Sequence, residues 1–99
     1  MYKFIATPYT GNVEEEFIFK KSAFKHGIVE EDIRNAFKQR MFDHVLSEKD
    51  DKNLLLGLAR DGVLLEIMYN VLDDDVINVF HAMKCRKTYF ALIRTRGMK

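Results

Sequence analysis

The stretch VLLEIMYNVL, residues 63–72, decides the fold, because its side chains alternate between two different faces of a β-strand. The odd-numbered residues are large and mostly apolar, and they predict a face buried under helices: Val63, Leu65, Ile67, Tyr69 and Val71. The even-numbered residues include Glu66 and Asn70, and Asn78 in the next strand belongs with them. We therefore expect this second face to lie open to solvent or to a ligand.

Turn signals on either side of this strand predict a meander of about four strands. Asp61-Gly62 is a two-residue hairpin sequence that joins the strand to the apolar run at residues 54–59. Three consecutive acids at 73–75 form the turn into a last strand, residues 76–83, and residues 41–47 begin the strand half of the chain. Tight connections of this kind imply an antiparallel sheet.

The residues around the strands favour helices. Residues 19–26 have the pattern of a short helix that ends at Gly27, and a second helix begins at Glu30, the first of three acids that suit a helix N-terminus. One face of that second helix is apolar: Ile33, Ala36 and Phe37. We expect these two helices to form a hairpin that covers the sheet, and a further helix to start at Lys84.

The predicted fold class is therefore α+β, with a helical hairpin packed on an antiparallel sheet of about four strands and a C-terminal helix. A chain of 99 residues has room for one domain, spanning 1–99. Residues 1–16 are expected to form a short N-terminal strand or an irregular arm.

The composition excludes several classes of protein. Apolar residues make up 47% of the chain and charged residues 31%, as in a soluble globular domain. The single cysteine cannot form an intramolecular disulfide, and no apolar run is long enough to span a bilayer, so we expect a cytoplasmic protein. No high-specificity catalytic motif is present, and the histidines lack the spacing of metal ligands, so no metal or cofactor is expected: His26, His44 and His81.

The end of the chain is strongly basic. No acidic residue follows Asp75, although the net charge of the whole chain is only +1. Six cations lie in this tail: Lys84, Arg86, Lys87, Arg94, Arg96 and Lys99. Such a charge asymmetry indicates either a phosphate-bearing partner or an acidic protein partner.

On a helix that starts at Lys84, the side chains of Lys84, Lys87 and Arg94 fall near one face, with Arg86 at its border. That face suits successive phosphates, and a guanidinium can also bind a phosphate bidentately. The simpler interpretation, which spacing alone slightly favours, is that these cations keep a surface helix soluble and complement its dipole.

His81 is the second candidate for chemistry. An imidazole can take or give a proton near neutral pH, and His81 is close in the sequence to Lys84 and Arg86, so it could transfer a proton during phosphodiester cleavage. Strand alternation instead places it with Ile77 and Val79 on the buried face, where a hydrogen-bonded structural histidine is the favoured interpretation. His26, just before Gly27, is similarly interpreted as a cap that bonds backbone.

Several short segments together resemble a known family. They are KHGI at 25–28 before an acidic helix, the Asp-Gly hairpin, LLEIMYNVL at 64–72, and INVFHAMKCRKTY at 77–89. This pattern resembles the BrnT-like toxins of bacterial type II toxin–antitoxin systems, small proteins with a RelE-like fold. The resemblance extends from about residue 17 to residue 90.

The resemblance implies a metal-independent ribonuclease that cleaves messenger RNA and is neutralised by a small DNA-binding antitoxin. Lys25 and His26 match the lysine and histidine of the family's Lys-His-Gly segment, and Ala82 matches the alanine of its Ser-Ala-Arg motif. His81 replaces the serine of that motif and Met83 replaces its arginine, so Lys84 or Arg86 would have to substitute for the missing cation.

Two hypotheses of different classes follow. In the first, the chain is an RNA-cleaving toxin with catalytic residues His81, Arg86 and Lys84. Its RNA-binding residues are then Lys25, His26, Lys87 and Arg94, and its partners are RNA and a cognate antitoxin. In the second, the chain is a non-catalytic module whose basic tail docks an acidic protein partner. A plain nucleic-acid binder is disfavoured by the low net charge and the lack of an aromatic stacking motif.

Overall fold

Five strands form one mixed sheet in the computed structural model, which describes residues 16–97 apart from the side chains of residues 74 and 94–97. The strands are β1 (Phe17–Phe19), β2 (Arg40–Ser47), β3 (Lys52–Leu58), β4 (Leu64–Leu72) and β5 (Val76–Lys84). Their order across the sheet is β1-β5-β4-β3-β2. Two short helices complete the α+β fold: α1 (Glu30–Lys38) and α2 (Phe90–Gly97). Among the described residues, no helix has the length and apolar character needed to cross a membrane.

Strands β2 to β5 form the predicted antiparallel meander, and the Asp61-Gly62 turn lies between β3 and β4 as expected. The amide of Ala59 donates to the carbonyl of Val63 at 2.8 Å, and the Asp61 carboxylate accepts from the Val63 amide at 3.0 Å. Gly62 has a φ of +89°, which explains why glycine occupies this position.

The predicted helical hairpin is wrong in its first half. Phe17–Phe19 is a strand that runs parallel to β5, and only a single 3₁₀ turn, Lys21–Phe24, follows it. The segment is part of the sheet, and its pairing with β5 continues at Lys20, whose amide donates to the Val79 carbonyl at 2.9 Å. The sheet therefore has five strands and one parallel pair, whereas about four antiparallel strands were expected. Most of the predicted N-terminal strand or arm, residues 1–15, lies outside the described residues.

Helix α1 covers the odd-numbered face of β4, as the sequence predicts. Ile33, Ala36 and Phe37 are all buried against it. The Phe37 ring meets the Tyr69 ring edge-on, with centroids 5.2 Å apart. The side-chain amide Nδ2 of Asn35 donates to the Leu58 carbonyl at 2.9 Å and so holds the helix against β3. This face is the main hydrophobic core of the molecule.

The second face of the sheet is not open along its whole length. Leu54 and Leu56 pair with Met68 and Glu66 across β3 and β4, so all four side chains project away from α1. Leu54, Leu56 and Glu66 are nevertheless fully buried, whereas Met68 is half-buried. The expectation of an open face therefore fails around Glu66, because the chain that follows β5 returns across it.

The C-terminal helix also begins later than predicted. Lys84 is the last residue of β5, and the amide of Cys85 continues the pairing by donating to the Leu64 carbonyl at 2.9 Å. A 3₁₀ turn at Lys87–Tyr89 then leads into α2, which contacts β2. Lys84, Lys87 and Arg94 are thus not on one helix face.

Candidate functional site

A β-bulge decides where His81 lies. Met68 of β4 pairs with His81 of β5, but the next residue, Tyr69, pairs with Val79, so Phe80 has no partner opposite it. One extra residue reverses the alternation beyond that point. His81 therefore projects from the second face of the sheet, and the prediction that it shares the buried face of Ile77 and Val79 is wrong.

Glu66 is the centre of a polar cluster on this second face. Its carboxylate is fully buried. Nε of the Arg86 guanidinium donates to both carboxylate oxygens, at 3.1 Å to Oε1 and 3.0 Å to Oε2, and Nη2 donates to Oε2 at 2.6 Å. The backbone amide of Arg86 donates to the same carboxylate at 2.9 Å. Nε2 of His81 lies 2.9 Å from Oε2, the carboxylate oxygen that also accepts from Nη2 of Arg86. One acid thus fixes a histidine and an arginine in a single arrangement.

The electrostatics of this cluster favour an ionised Glu66. Burial by itself raises the pKa of the carboxyl, but the hydrogen bonds from the Arg86 side chain and backbone and from His81 outweigh it, and the pKa lies below its ordinary value. An ionised carboxylate only accepts hydrogen bonds, so Nε2 of His81 carries its proton toward Glu66. Nδ1 of His81 is then the nitrogen able to accept a proton.

The loop before α1 brings a second histidine to the site. The ring of His26 meets that of His81 edge-on, with centroids 5.7 Å apart. The 3₁₀ turn that precedes this loop is anchored to the bulge itself, because the Ser22 hydroxyl donates to the Phe80 carbonyl at 2.6 Å. Gly27, with a φ of +82°, then directs the chain into α1. The ring contact gives His26 a place in the site, and its expected role as a backbone cap stays a prediction.

Of the sequence-predicted site residues, the structure brings His26, His81 and Arg86 together. Lys25 precedes His26 and is exposed, and Lys87 follows Arg86 and is exposed. Lys84 pairs with Leu65, so its side chain projects toward the α1 face and away from Glu66. The side chain of Arg94 lies outside the part of the chain that the structure describes.

Glu66 itself was not among the predicted site residues. The signal for it was present, since it is the only acid inside the apolar strand LLEIMYNVL, but an alternating strand equally suits an exposed acid. Its partner Arg86 also lies over the Tyr89 ring, 5.6 Å from its centroid, which keeps the guanidinium in place from its outer side. Position and charge together mark this pair as the anchor of the site.

Two kinds of chemistry find no support in the described residues. No group of three or more histidine, cysteine or acidic side chains converges there in a way that could hold a metal ion. Burial and the neighbouring Glu66 charge raise the pKa of the Cys85 thiol to about 11, so it stays protonated at neutral pH and is a poor nucleophile. The cluster can therefore offer proton transfer and anion binding through its own side chains.

Comparison with known proteins adds no relative. No family model, no curated protein and no solved structure matches this chain. The structure alone defines the kind of site: an imidazole and a guanidinium that are held on one face of a β-sheet by a buried carboxylate.

Proposed function

We propose that this protein is a metal-independent endoribonuclease and the toxin component of a toxin–antitoxin system. The observation that carries this proposal is that His81 and Arg86 both bind the buried carboxylate of Glu66, while the ring of His26 contacts that of His81. Cleavage of a phosphodiester by an internal hydroxyl uses a base, an acid and a group that stabilises negative charge, and two imidazoles and a guanidinium can supply all three. The resemblance to BrnT-like toxins supports the same class, and the β2–β5 meander preceded by α1 is compatible with a RelE-like arrangement.

In the proposed reaction, Nδ1 of His81 accepts the proton of a ribose 2′-hydroxyl. The 2′-oxygen attacks the adjacent phosphorus, and the bond from phosphorus to the 5′-oxygen breaks. Protonated His26 donates a proton to that leaving oxygen. The products are a 2′,3′-cyclic phosphate and a free 5′-hydroxyl, and the exchange requires no metal or oxidant.

Arg86 and Glu66 have supporting roles in this reaction. The guanidinium is half-exposed, and its Nη1 has no partner among the described residues, so it can bind a phosphate oxygen while Nε and Nη2 stay on Glu66. Glu66 is occupied by these bonds and stabilises the imidazolium that forms at His81. It is a positioning residue rather than the base itself.

The exposed lysines are proposed to bind neighbouring phosphates of the RNA. Lys25 is adjacent to His26 in the sequence, and Lys87 is adjacent to Arg86. Arg94 is included on the sequence pattern alone. Lys84 is the weakest of the proposed catalytic residues because its side chain projects to the other face. A small cognate antitoxin, acting in the cytoplasm, would be the protein partner.

A cleavage assay in the presence of EDTA tests this proposal. We expect the protein to cut single-stranded RNA and to leave 2′,3′-cyclic phosphate ends. His81→Ala and Arg86→Ala should each lower the rate by about 10²-fold or more, and both should relieve growth arrest on expression. His44→Ala is the matched control, because His44 lies on β2 against Phe42, with ring centroids 5.0 Å apart. Equal rates for the His81 and His44 variants would refute the assignment.

The alternative is a non-catalytic module that docks an acidic partner. The hydrogen bonds from the Arg86 side chain and backbone to Glu66 favour this alternative. Such an ion pair is enough to anchor the chain after β5 even if it has no part in catalysis. That function predicts salt-sensitive binding of an acidic protein segment and no RNA turnover at any pH. The EDTA assay therefore separates the two.

A further inference from the structure

A lysine at the end of β1 lies on the same face of the sheet as Glu66. Ile18 of β1 pairs with Asn78, and Asn78 pairs with Asn70 on the second face, where Glu66 also projects. Lys20 is two residues beyond Ile18, and its backbone is still extended, with a φ of −72° and a ψ of 156°. Strand alternation therefore directs the Lys20 side chain to this second face.

The pairing with β5 places Lys20 next to His81. The Lys20 amide donates to the Val79 carbonyl at 2.9 Å, which in a parallel pair sets Lys20 opposite Phe80. Neighbouring strands lie about 4.8 Å apart and successive residues about 3.3 Å apart, so the Cα atoms of Lys20 and His81 are separated by about 6 Å. Since β5 lies between β1 and β4, His81 has Lys20 on one side and Glu66 on the other.

The charge of Lys20 is not balanced by a neighbour. The side chain is exposed, and its ammonium group forms no hydrogen bond or ion pair with any residue that the structure describes. The Arg86 guanidinium, in contrast, is bound to Glu66, so those two charges largely cancel. An anion that binds beside His81 is therefore attracted mainly by Lys20.

We propose that Lys20 completes the phosphate site beside His81, and that its ammonium binds a non-bridging oxygen of the phosphate that the 2′-hydroxyl attacks. The inference rests on the proposed function, because it supplies the cation that the sequence analysis assigned to Lys84, whose side chain projects toward α1. The flexible four-carbon stem lets the Lys20 ammonium stay on the phosphate as negative charge develops there.

The salt dependence of binding to a single-stranded DNA oligonucleotide tests this contact without requiring catalysis, because DNA carries the same phosphates and lacks the 2′-hydroxyl. Each phosphate contact contributes about 0.7 to the slope of log K against log salt concentration. Lys20→Ala should lower this slope by about 0.7 and weaken binding about five-fold at 0.1 M salt. Lys20→Arg should keep the slope. Both variants should fold, because the side chain is exposed and the backbone amide that bonds Val79 remains.

RNA cleavage provides the second measurement. Lys20→Ala should lower kcat by about 10²-fold, far more than it weakens binding of the oligonucleotide, because the contact strengthens as charge develops on the phosphate. Lys20→Arg should recover most of the rate. Lys49→Ala is the matched control, since Lys49 is an exposed lysine in the β2–β3 turn, at the opposite edge of the sheet. Its slope and its rate should equal those of the unaltered protein.

The outcomes separate this inference from the proposed function. Cleavage that depends on His81, together with equal slopes and rates for the Lys20 and Lys49 variants, would overturn the role of Lys20 and leave the ribonuclease standing. A slope that depends on Lys20 without any RNA cleavage would support the phosphate site and overturn the ribonuclease. Polyglutamate that binds more tightly than the oligonucleotide, and only when Lys20 is present, would overturn the phosphate site in favour of an acidic protein partner.

Discussion

Glu66 is the residue on which the candidate site depends. A buried carboxylate is tolerated only when its charge is compensated, and here Arg86 compensates it through both side chain and backbone. The same carboxylate fixes the proton on Nε2 of His81. The stability of the chain after β5 and the chemistry of the site therefore depend on one side chain.

Glu66→Gln tests this dependence, because glutamine keeps the shape of the side chain and removes its charge. Glutamine cannot accept every hydrogen bond that the carboxylate accepts, so we expect the free energy of unfolding to fall by about 1–3 kcal/mol at pH 7. Urea denaturation followed by circular dichroism measures it. The control is Asp32→Asn, which disrupts the ion pair between Asp32 and Arg60, 2.8 Å long but exposed. Equal midpoints for the two variants would show that burial of Glu66 contributes nothing.

At the scale of elements, the sequence predicted those features that its local chemistry determines. The alternation of β4, the Asp61-Gly62 turn and the apolar face of α1 all have local signals, and all three appear in the structure. Strand β1 could not be predicted, because its three residues gain their backbone partners from β5, about sixty residues later. A segment this short carries no periodicity that distinguishes a strand from a helix.

The bulge at Phe80 explains the wrong placement of His81. Alternation predicts a face only while the register is unbroken, and no residue type in the segment around Phe80 signals a bulge. The three site residues that came together were all among those predicted: His26, His81 and Arg86. Glu66, which anchors His81 and Arg86, could not be singled out, because sequence alone does not show that the chain after β5 returns over it.

The contact between α1 and β3 allows a test at the element scale. A Cβ at Gly57 of β3 would overlap the backbone carbonyl of Ala36, so the helix packs directly on this glycine. We expect Gly57→Ala to push α1 away from the sheet and to lower the free energy of unfolding by about 1–3 kcal/mol. Thermal unfolding followed by circular dichroism measures this loss.

Gly62→Ala is the control for that substitution. Nothing lies within 4 Å of a Cβ at Gly62, but its φ of +89° disfavours any side chain. Its cost should be about 1–2 kcal/mol and should come from the backbone alone. The variants differ in the core: only Gly57→Ala should alter the near-ultraviolet signal of the aromatic side chains around Tyr69. An unchanged near-ultraviolet spectrum for Gly57→Ala would contradict the packing argument.

At the scale of the whole molecule, the net charge is only +1, although one end of the molecule is basic and another is acidic. The basic end holds Arg86 and Lys87, and the acidic end holds Asp51 and Asp73. The long-range attraction of any anionic partner is therefore weak, and the proposed binding of RNA would depend on local contacts. A second acid, Asp43, is partly buried on the other face, and it makes the stability of the whole protein depend on pH.

Asp43 accepts a hydrogen bond from the Tyr69 hydroxyl at 2.6 Å and lies 3.4 Å from Nη1 of Arg40. Burial raises its pKa to about 6, although Tyr69 and Arg40 oppose this shift. Between about pH 4 and pH 6 the folded state therefore holds a proton that the unfolded state has lost. The contribution of Asp43 to stability is fully present below about pH 4 and is lost as the pH rises through 6.

Asp43→Asn removes this titration and keeps an acceptor for the Tyr69 hydroxyl. We expect the variant to match the unaltered protein near pH 4 and to exceed its free energy of unfolding by about 3 kcal/mol at pH 8. Glu66 acts in the opposite sense: its lowered pKa gives stability that is present above about pH 4.3 and is lost as the pH falls. The difference between the stability of the Asp43 variant and that of the unaltered protein at each pH cancels the contribution of Glu66, since both proteins contain it.

Urea denaturation from pH 4 to pH 8 measures the free energy of unfolding of both proteins. Asp50→Asn is the charge-matched control, because Asp50 is an exposed acid in the β2–β3 turn. Parallel curves for the Asp43 variant and the unaltered protein would show that this carboxyl does not titrate in the folded core.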